Sequence, residues 1–268
     1  MAKKPTGQAK YAAANYDADS AERPAGERWV TQHNALIRAG NGLTLSEKRL
    51  IAIAASKLNS YKPQKVGDVP STRISAAEYA EQFNVDHRTA YEALKAASQH
   101  LYSRSITFYE MASRRRGKPL EPTVVTMRWV GRVHYQRGEG WVELYWWPQL
   151  LPYLTGLRNK FTSYQLEQAS ALRSIYSWRL LELLKRFADD DGKGWAEYTI
   201  EDFATSMDAT ENQRANFNNI RRRIIEPAVK ELTEKDDWKI EWEPIKSGRR
   251  VSRVRFKFQK DNQLRLSI

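Results

Sequence analysis

From Trp29 onward the spacing of apolar residues changes along the chain, and each change marks a new element. Leu36, Leu43 and Leu50 lie seven apart, as in a zipper, but Gly40, Asn41 and Gly42 interrupt any continuous helix. The pattern predicts a short helix, a glycine turn and a second helix running from Thr44 or Ser46, either able to cap it, to about Leu58. Leu50, Ile51, Ala54 and Leu58 form its apolar face. Ser75 and Glu78 then have the spacing of a capping box, with Tyr79, Ala80 and Phe83 on one face behind them. Asn84-Val85-Asp86 reads as a turn into a longer helix over 87–101. Two helices joined by a short turn make a helix-turn-helix. Strand-like sequence follows at 105–111, 124–135 and 141–147, with a turn at 137–140 and a loop over 112–123.

The second half repeats this order. An apolar helix is predicted over 164–187, a turn over 189–194 and a short helix over 198–207. There Asp202-Phe203-Ala204 stands where Glu78-Tyr79-Ala80 stood, and Met207 where Phe83 stood. A long helix over 212–233 and a hairpin, 238–245 and 250–258 about the turn Lys246-Ser247-Gly248-Arg249, complete it. Val254, Phe256 and Phe258 alternate with Arg253, Arg255 and Lys257, which puts an apolar face on the core and a basic face in water or on phosphate. Helix, short helix, turn, long helix and hairpin is the order of a winged helix. The expected fold is α+β: two tandem winged-helix domains, at 29–155 and 156–260, a pseudo-repeat. Residues 1–28 are expected to be a mobile N-terminal tail and 261–268 a C-terminal tail.

Charge changes the picture. The net charge is +12, which favours a polyanionic partner. Residues 101–137 carry eight basic and two acidic side chains, and residues 209–260 carry fourteen and eight. These two stretches account for the whole excess, as expected of two DNA-facing patches rather than an evenly solvated surface. Cysteine is absent, so disulfides and zinc–cysteine sites are excluded and a cytoplasmic location is expected. The four histidines lack metal-ligand spacing, and neither a phosphate-binding glycine loop nor an apolar run long enough for a membrane span is present. The first ten residues hold no apolar stretch of a secretory leader. No cofactor, metal or membrane partner is expected, and the chain reads as a DNA-binding protein rather than an enzyme.

A recognition helix buries one side and shows donors to base edges from the other. On a regular helix from Asn212, Phe217, Ile220, Ile224, Ile225, Ala228 and Leu232 share one arc. Asn212, Ala215, Asn219, Arg222, Arg223 and Glu226 share the opposite arc, with Asn218 and Arg221 near the edge of the apolar one. Arginine pairs bidentately with guanine and asparagine with adenine in the major groove. The candidate DNA contacts are Arg214, Asn218, Asn219, Arg221, Arg222 and Arg223 on this helix, with Lys246, Arg249, Arg250 and Arg253 in the wing. Arg114, Arg115 and Arg116 in the first domain's loop are phosphate candidates, or simply a solvated loop. The first domain's own recognition helix, with His87, Arg88, Thr89, Glu92, Lys95 and Gln99, is less basic.

The stretch Val30-Thr31-Gln32-His33-Asn34-Ala35-Leu36-Ile37 with Leu43–Leu45, Glu47 and Arg49-Leu50-Ile51, the stretch 164–184, and Ile220-Arg221-Arg222-Arg223-Ile224-Ile225-Glu226-Pro227-Ala228-Val229-Lys230-Glu231-Leu232 resemble the theta-type, iteron-binding plasmid replication initiators with tandem winged helices. The similarity spans residues 29–260. It implies a second domain that reads the direct repeats of an origin through its last helix, Arg221 included. It implies a first domain that dimerises in a repressor form and gives accessory DNA contact in the monomer. Further implied are opening of an AT-rich stretch, contact with host helicase and initiator, and autorepression by a dimer on an inverted repeat. Pro227 departs from a regular helix and is expected to kink it. A tandem winged-helix transcription regulator is the non-replicative alternative. A rolling-circle nickase would need a histidine pair that is missing.

Overall fold

The computed structural model describes residues 23–65, 67–110, 123–136 and 138–261. Arg114, Arg115 and Arg116 lie outside the described residues, as do 1–22 and 262–268. The first unit opens with β1 (Trp29–His33), α1 (Asn34–Arg38) and α2 (Leu45–Ser56). Thr44 caps α2: its hydroxyl accepts the Glu47 amide, and the Glu47 carboxylate accepts the Thr44 amide. β2 (Ser71–Ser75), α3 (Ala76–Phe83) and α4 (His87–Ser103) form the helix-turn-helix and its leading strand. Ser75 caps α3 by accepting the Glu78 amide. The Glu78 carboxylate bonds Arg28 and Lys57 instead of completing the expected box. Arg28 is buried by that contact, so the expected tail is anchored at its end.

Two differences reshape the first unit. The strand expected over 124–135 is two, β4 (Thr123–Arg128) and β5 (Val130–Tyr135), parted at the buried Trp129. β4 pairs with β3 (Ser105–Glu110) in a separate ribbon. β5 and β6 (Trp141–Trp146) form the wing, in a sheet ordered β2-β6-β5. β6 is therefore the central strand. Val142, Leu144 and Trp146 point into the core, while Trp141, Glu143 and Tyr145 are half-buried on the other face. With a neighbour on both sides, this aromatic run has no free edge to add to another chain.

The helix expected over 164–187 begins as a strand. β7 (Phe161–Gln165) pairs antiparallel with β1, and after α5 (Glu167–Ser170) a new helix, α6 (Ile175–Lys185), starts at the Ser174 cap. The β1–β7 ribbon thus crosses the boundary expected at residue 155. Then come β8 (Lys193–Thr199), α7 (Ile200–Ser206), α8 (Glu211–Arg214), α9 (Phe217–Ile220), a π-helical turn (Arg221–Ile225), α10 (Glu226–Lys235), β9 (Trp238–Ser247) and β10 (Arg250–Lys260). The second sheet is ordered β8-β10-β9.

The repeat holds atom by atom at the helix-turn-helix corner. Ser75 and Thr199 cap α3 and α7 by accepting the amide three residues on. α3 ends on Asn84 at φ 46° and α7 is followed by Asp208 at φ 51°, both left-handed. In each case the next amide, of Val85 or Ala209, donates to the carbonyl of Ala80 or Ala204.

α6 joins the units. Every residue from 177 to 184 is buried, the mark of a helix enclosed on all sides. Its polar members meet partners from the first unit. Glu182 takes Lys48 and Gln32, and also the Tyr164 hydroxyl. Burial lowers the Lys48 ammonium below its ordinary value, and the Glu182 carboxylate opposes this. Arg179 bonds Asp208, Asn41 and the Ser206 carbonyl. Asp208 accepts the amides of Asn41 at 3.1 Å and Gly42 at 2.6 Å.

Candidate nucleic-acid interface

The helix expected over 212–233 is built from three pieces and a wide turn. Thr210 and Gln213 cap α8 reciprocally, and the chain then extends at Asn216, φ −158° and ψ 159°. Asn216 caps α9 by accepting the Asn219 amide at 3.0 Å. Farther on, Pro227 has no N–H for the Arg223 carbonyl, and its ring crowds that carbonyl. The backbone widens instead: the Glu226 amide donates to the Arg221 carbonyl, five residues back. The extra residue turns the helix and explains why a regular wheel misplaces Arg221, which is exposed with Arg222 and Arg223 while Ile224 and Ile225 are buried.

The candidate residues do different jobs. The Arg214 guanidinium donates to the Ala209 carbonyl and Thr205 hydroxyl and pairs with Glu201 at 3.0 Å, so it braces the helix-turn-helix. The Asn219 side-chain amide donates to the Asn212 carbonyl at 2.7 Å and holds α8 against α9. Asn218 is exposed and its side chain has no hydrogen bond among the described residues. Arg221 pairs with Glu226 at 3.3 Å, while Arg222 and Arg223 have no partner among the described residues. Three adjacent cations with a single carboxylate between them form a surface that an anion would neutralise.

The wing divides the same way. Arg253 and Arg255 on β10 both reach Glu197 on β8, at 2.9 and 2.8 Å, and Arg255 also reaches Glu243 at 3.2 Å. These bonds hold the Glu197 carboxyl below its ordinary value, the Arg253 bond contributing most. The basic face expected on β10 is therefore largely paired within the sheet, Arg253 included. At the tip, Gly248 takes φ 62°, which the tight turn requires, and Lys246, Arg249 and Arg250 are exposed without a partner among the described residues. Phe217 at the start of α9 packs on Trp242 of β9 with ring centroids 6.4 Å apart, tying recognition helix to wing.

In the first unit the recognition helix is partly covered by its own wing. The Tyr91 hydroxyl accepts the Gly138 amide at 3.4 Å, and Gln99 bonds the Tyr135 hydroxyl at 3.2 Å. Sequence reasoning missed Glu197 and Asp208, which set the paired and unpaired arginines apart. Asp208 had a signal: it occupies the position of Asn84 in the repeat, where left-handed backbone is needed.

Two winged helices, one with unpaired guanidinium groups on its recognition helix and wing tip, define a class of tandem winged-helix DNA-binding proteins. Comparison with known families gives the particular member of that class: residues 29–185 match the Initiator Replication protein WH1 family and residues 199–258 the Initiator Rep protein WH2 family. The chain belongs to this family of plasmid replication initiators. The Replication initiation protein of Escherichia coli is 24% identical over 239 residues, covering 88% of this chain and 71% of its own length. The PI protein of Escherichia coli is 22% identical over 257 residues, covering 87% of this chain and 83% of its own. Among solved structures, the Pi initiator protein in complex with iteron DNA has the same fold, with a TM-score of 0.71 at 20% identity, over 90% of this chain and all of that one.

Proposed function

We propose that this protein initiates plasmid replication by binding repeated origin sites, iterons, through its second winged helix. The observation that carries this reading is the unpaired pair Arg222 and Arg223 on the exposed π turn, beside a wing whose other arginines are internally bonded. Guanidinium groups with no intrachain partner are free to bond guanine edges bidentately, and Asn218 is free to bond adenine. Lys246, Arg249 and Arg250 at the wing tip then meet phosphate, which fixes register without reading sequence. Arg221 keeps Glu226 as a partner and joins the phosphate contacts. Arg214, Asn219 and Arg253 support these groups from behind and do not touch DNA.

The relatives are consistent with this assignment, since the Pi initiator protein is solved on iteron DNA. For the finer roles we propose what the resemblance to these initiators implies. The first unit gives accessory contact in a monomer on direct repeats and dimerises on an operator inverted repeat, where the dimer represses its own gene. Bound initiators strain an adjacent AT-rich tract toward opening and bring in host helicase and host initiator.

A DNase footprint on the DNA flanking the gene tests the reading. Several evenly spaced protections on direct repeats beside an AT-rich tract are expected. A single protected palindrome with no repeats identifies a transcription regulator instead.

A further inference from the structure

A cleft of about 750 Å³ opens between the two units, and none of the unpaired arginines of the π turn and wing lines it. Its walls come from α1, β3, the loop before β7, the end of α6 and α7. The volume is that of a small-molecule site and far too small for a duplex.

Three cations line it: Arg38, Lys160 and Arg186. Arg186 is the most telling. Its Nε and Nη1 are closed to solvent and have no hydrogen-bond acceptor among the described residues. The half-buried guanidinium is held by the Tyr198 hydroxyl and the Phe187 ring, but these two solvent-closed donors are costly to leave without acceptors. Lys160 is the second sign. It stands at φ 53°, where glycine or asparagine fits more easily than lysine. Its carbonyl accepts the Asn34 amide at 2.7 Å, which fixes the residue at the cleft with its side chain exposed.

Two carboxylates also line the cleft, but they leave the balance positive. Glu201 is held by Arg214 at 3.0 Å, and Asp202 faces Arg38 at 3.7 Å, beyond hydrogen-bond distance. Burial lowers the Arg186 pKa, the Tyr198 hydroxyl opposes this, and the nearby Arg38 charge lowers it further, so two like charges face the cleft together. An anion would relieve that.

The remaining wall is aromatic. Tyr153 lies edge-on between His33 at 5.6 Å and Phe108 at 5.0 Å, and Tyr109 beside them is 61% exposed. Phosphate needs the cations alone. An open tyrosine ring next to them suits a flat heterocycle that stacks.

We propose that this cleft binds a free nucleotide, with its phosphates on Arg186, Lys160 and Arg38 and its base on the Tyr109–Tyr153 wall. The site is independent of duplex recognition and does not rest on the replication reading.

Calorimetric titration of the full chain tests it with three probes: ADP, inorganic phosphate and a ten-nucleotide thymidine strand. ADP is expected to bind more tightly than phosphate. Lys160→Gln, an exposed change, should weaken ADP about tenfold and leave duplex binding unaltered. Tyr109→Ala should weaken ADP but not phosphate. Arg186→Gln should abolish ADP binding while the melting temperature stays level or rises, because a half-buried cation beside the like charge of Arg38 is gone; a merely structural arginine would lower it. Absence of heat with all three probes overturns the site, as does ADP binding unchanged in Lys160→Gln and Arg186→Gln. Binding of the thymidine strand without ADP overturns the free-nucleotide assignment and gives the cleft to single-stranded DNA.

Discussion

At the residue scale, partnership inside the protein decides which cations remain for DNA. The stretch 209–260 holds fourteen basic side chains, but ion pairs within the fold engage Arg214, Arg221, Lys230, Lys239, Arg253, Arg255 and Lys260. Arg222 and Arg249 are left free at two places with different duties. Arg222→Ala should cost specific binding about 1–3 kcal/mol and relax base preference at one position. Arg249→Ala should weaken binding evenly across sequences and flatten the steep dependence of log affinity on log salt. Gel shifts on a set of single-base variants at several salt concentrations separate the two. Identical behaviour in both mutants would refute the division into reader and anchor.

Glu197 adds a pH signature at this same scale. Its folded carboxyl lies below the ordinary 4.5 because Arg253 and Arg255 bond the charged form. A depressed folded value stabilises the protein above the unfolded value, and that contribution disappears as pH falls through the folded value. Melting temperature should therefore drop below about pH 4.5, and Glu197→Gln should blunt the drop while lowering stability at neutral pH. A Glu197→Gln profile parallel to the native one down to low pH excludes Glu197 as the titrating group.

At the element scale, what the sequence revealed depended on whether a signal was local. The two winged helices, the first unit's caps at Thr44 and Ser75 and the wing hairpins were legible, because period, capping spacing and turn residues are properties of neighbours. The strand 161–165 was not. Phe161, Tyr164 and Leu166 fit a helix face or a strand equally well, and only pairing with β1, more than a hundred residues earlier, decides it. The break at Asn216 was legible in principle: Thr210 with Gln213, and Asn216 with Asn219, are two cap spacings inside one assumed helix. The arginine triplet was legible as an exposed basic cluster, while its orientation required the π turn. Pro227 maintains that turn, so Pro227→Ala restores a donor for the Arg223 carbonyl and lets the segment relax toward a regular helix. One residue of register rotates the arginines by about 100° relative to Ile220. Specific affinity should fall while melting temperature stays level or rises, since a helix-interior proline is unfavourable. Specific binding at native strength in Pro227→Ala, measured beside its melting curve, would show that reading does not use the turn.

At the scale of the whole molecule, two winged helices can act on one stretch of DNA only if their separation is fixed. Nothing in the spacing of apolar residues announces how two domains dock, and the docking here joins a continuous apolar core to a buried polar clasp. Asp208 sits in left-handed backbone where its repeat counterpart is Asn84. From there its carboxylate receives two amides of the Gly40–Gly42 turn in the other unit and the guanidinium of the buried Arg179. Burial lowers the Arg179 pKa and the Asp208 charge opposes that, so each ion makes the other tolerable. Asp208→Asn keeps an acceptor and the left-handed conformation but removes the charge. It should destabilise the protein by about 1–3 kcal/mol. It should also raise hydrogen exchange at the Asn41 and Gly42 amides while the strands and helices within each unit keep their protection. Small-angle scattering should show a wider range of domain separations, and specific affinity should fall without loss of base preference, because the recognition helix is untouched. Exchange at Asn41 and Gly42 as slow in Asp208→Asn as in the native chain would mean that the apolar packing around α6 alone sets the docking. Arg179→Ala separates these possibilities further. It removes the charge from the other side, and if the clasp governs docking its exchange pattern must match that of Asp208→Asn at the same two amides.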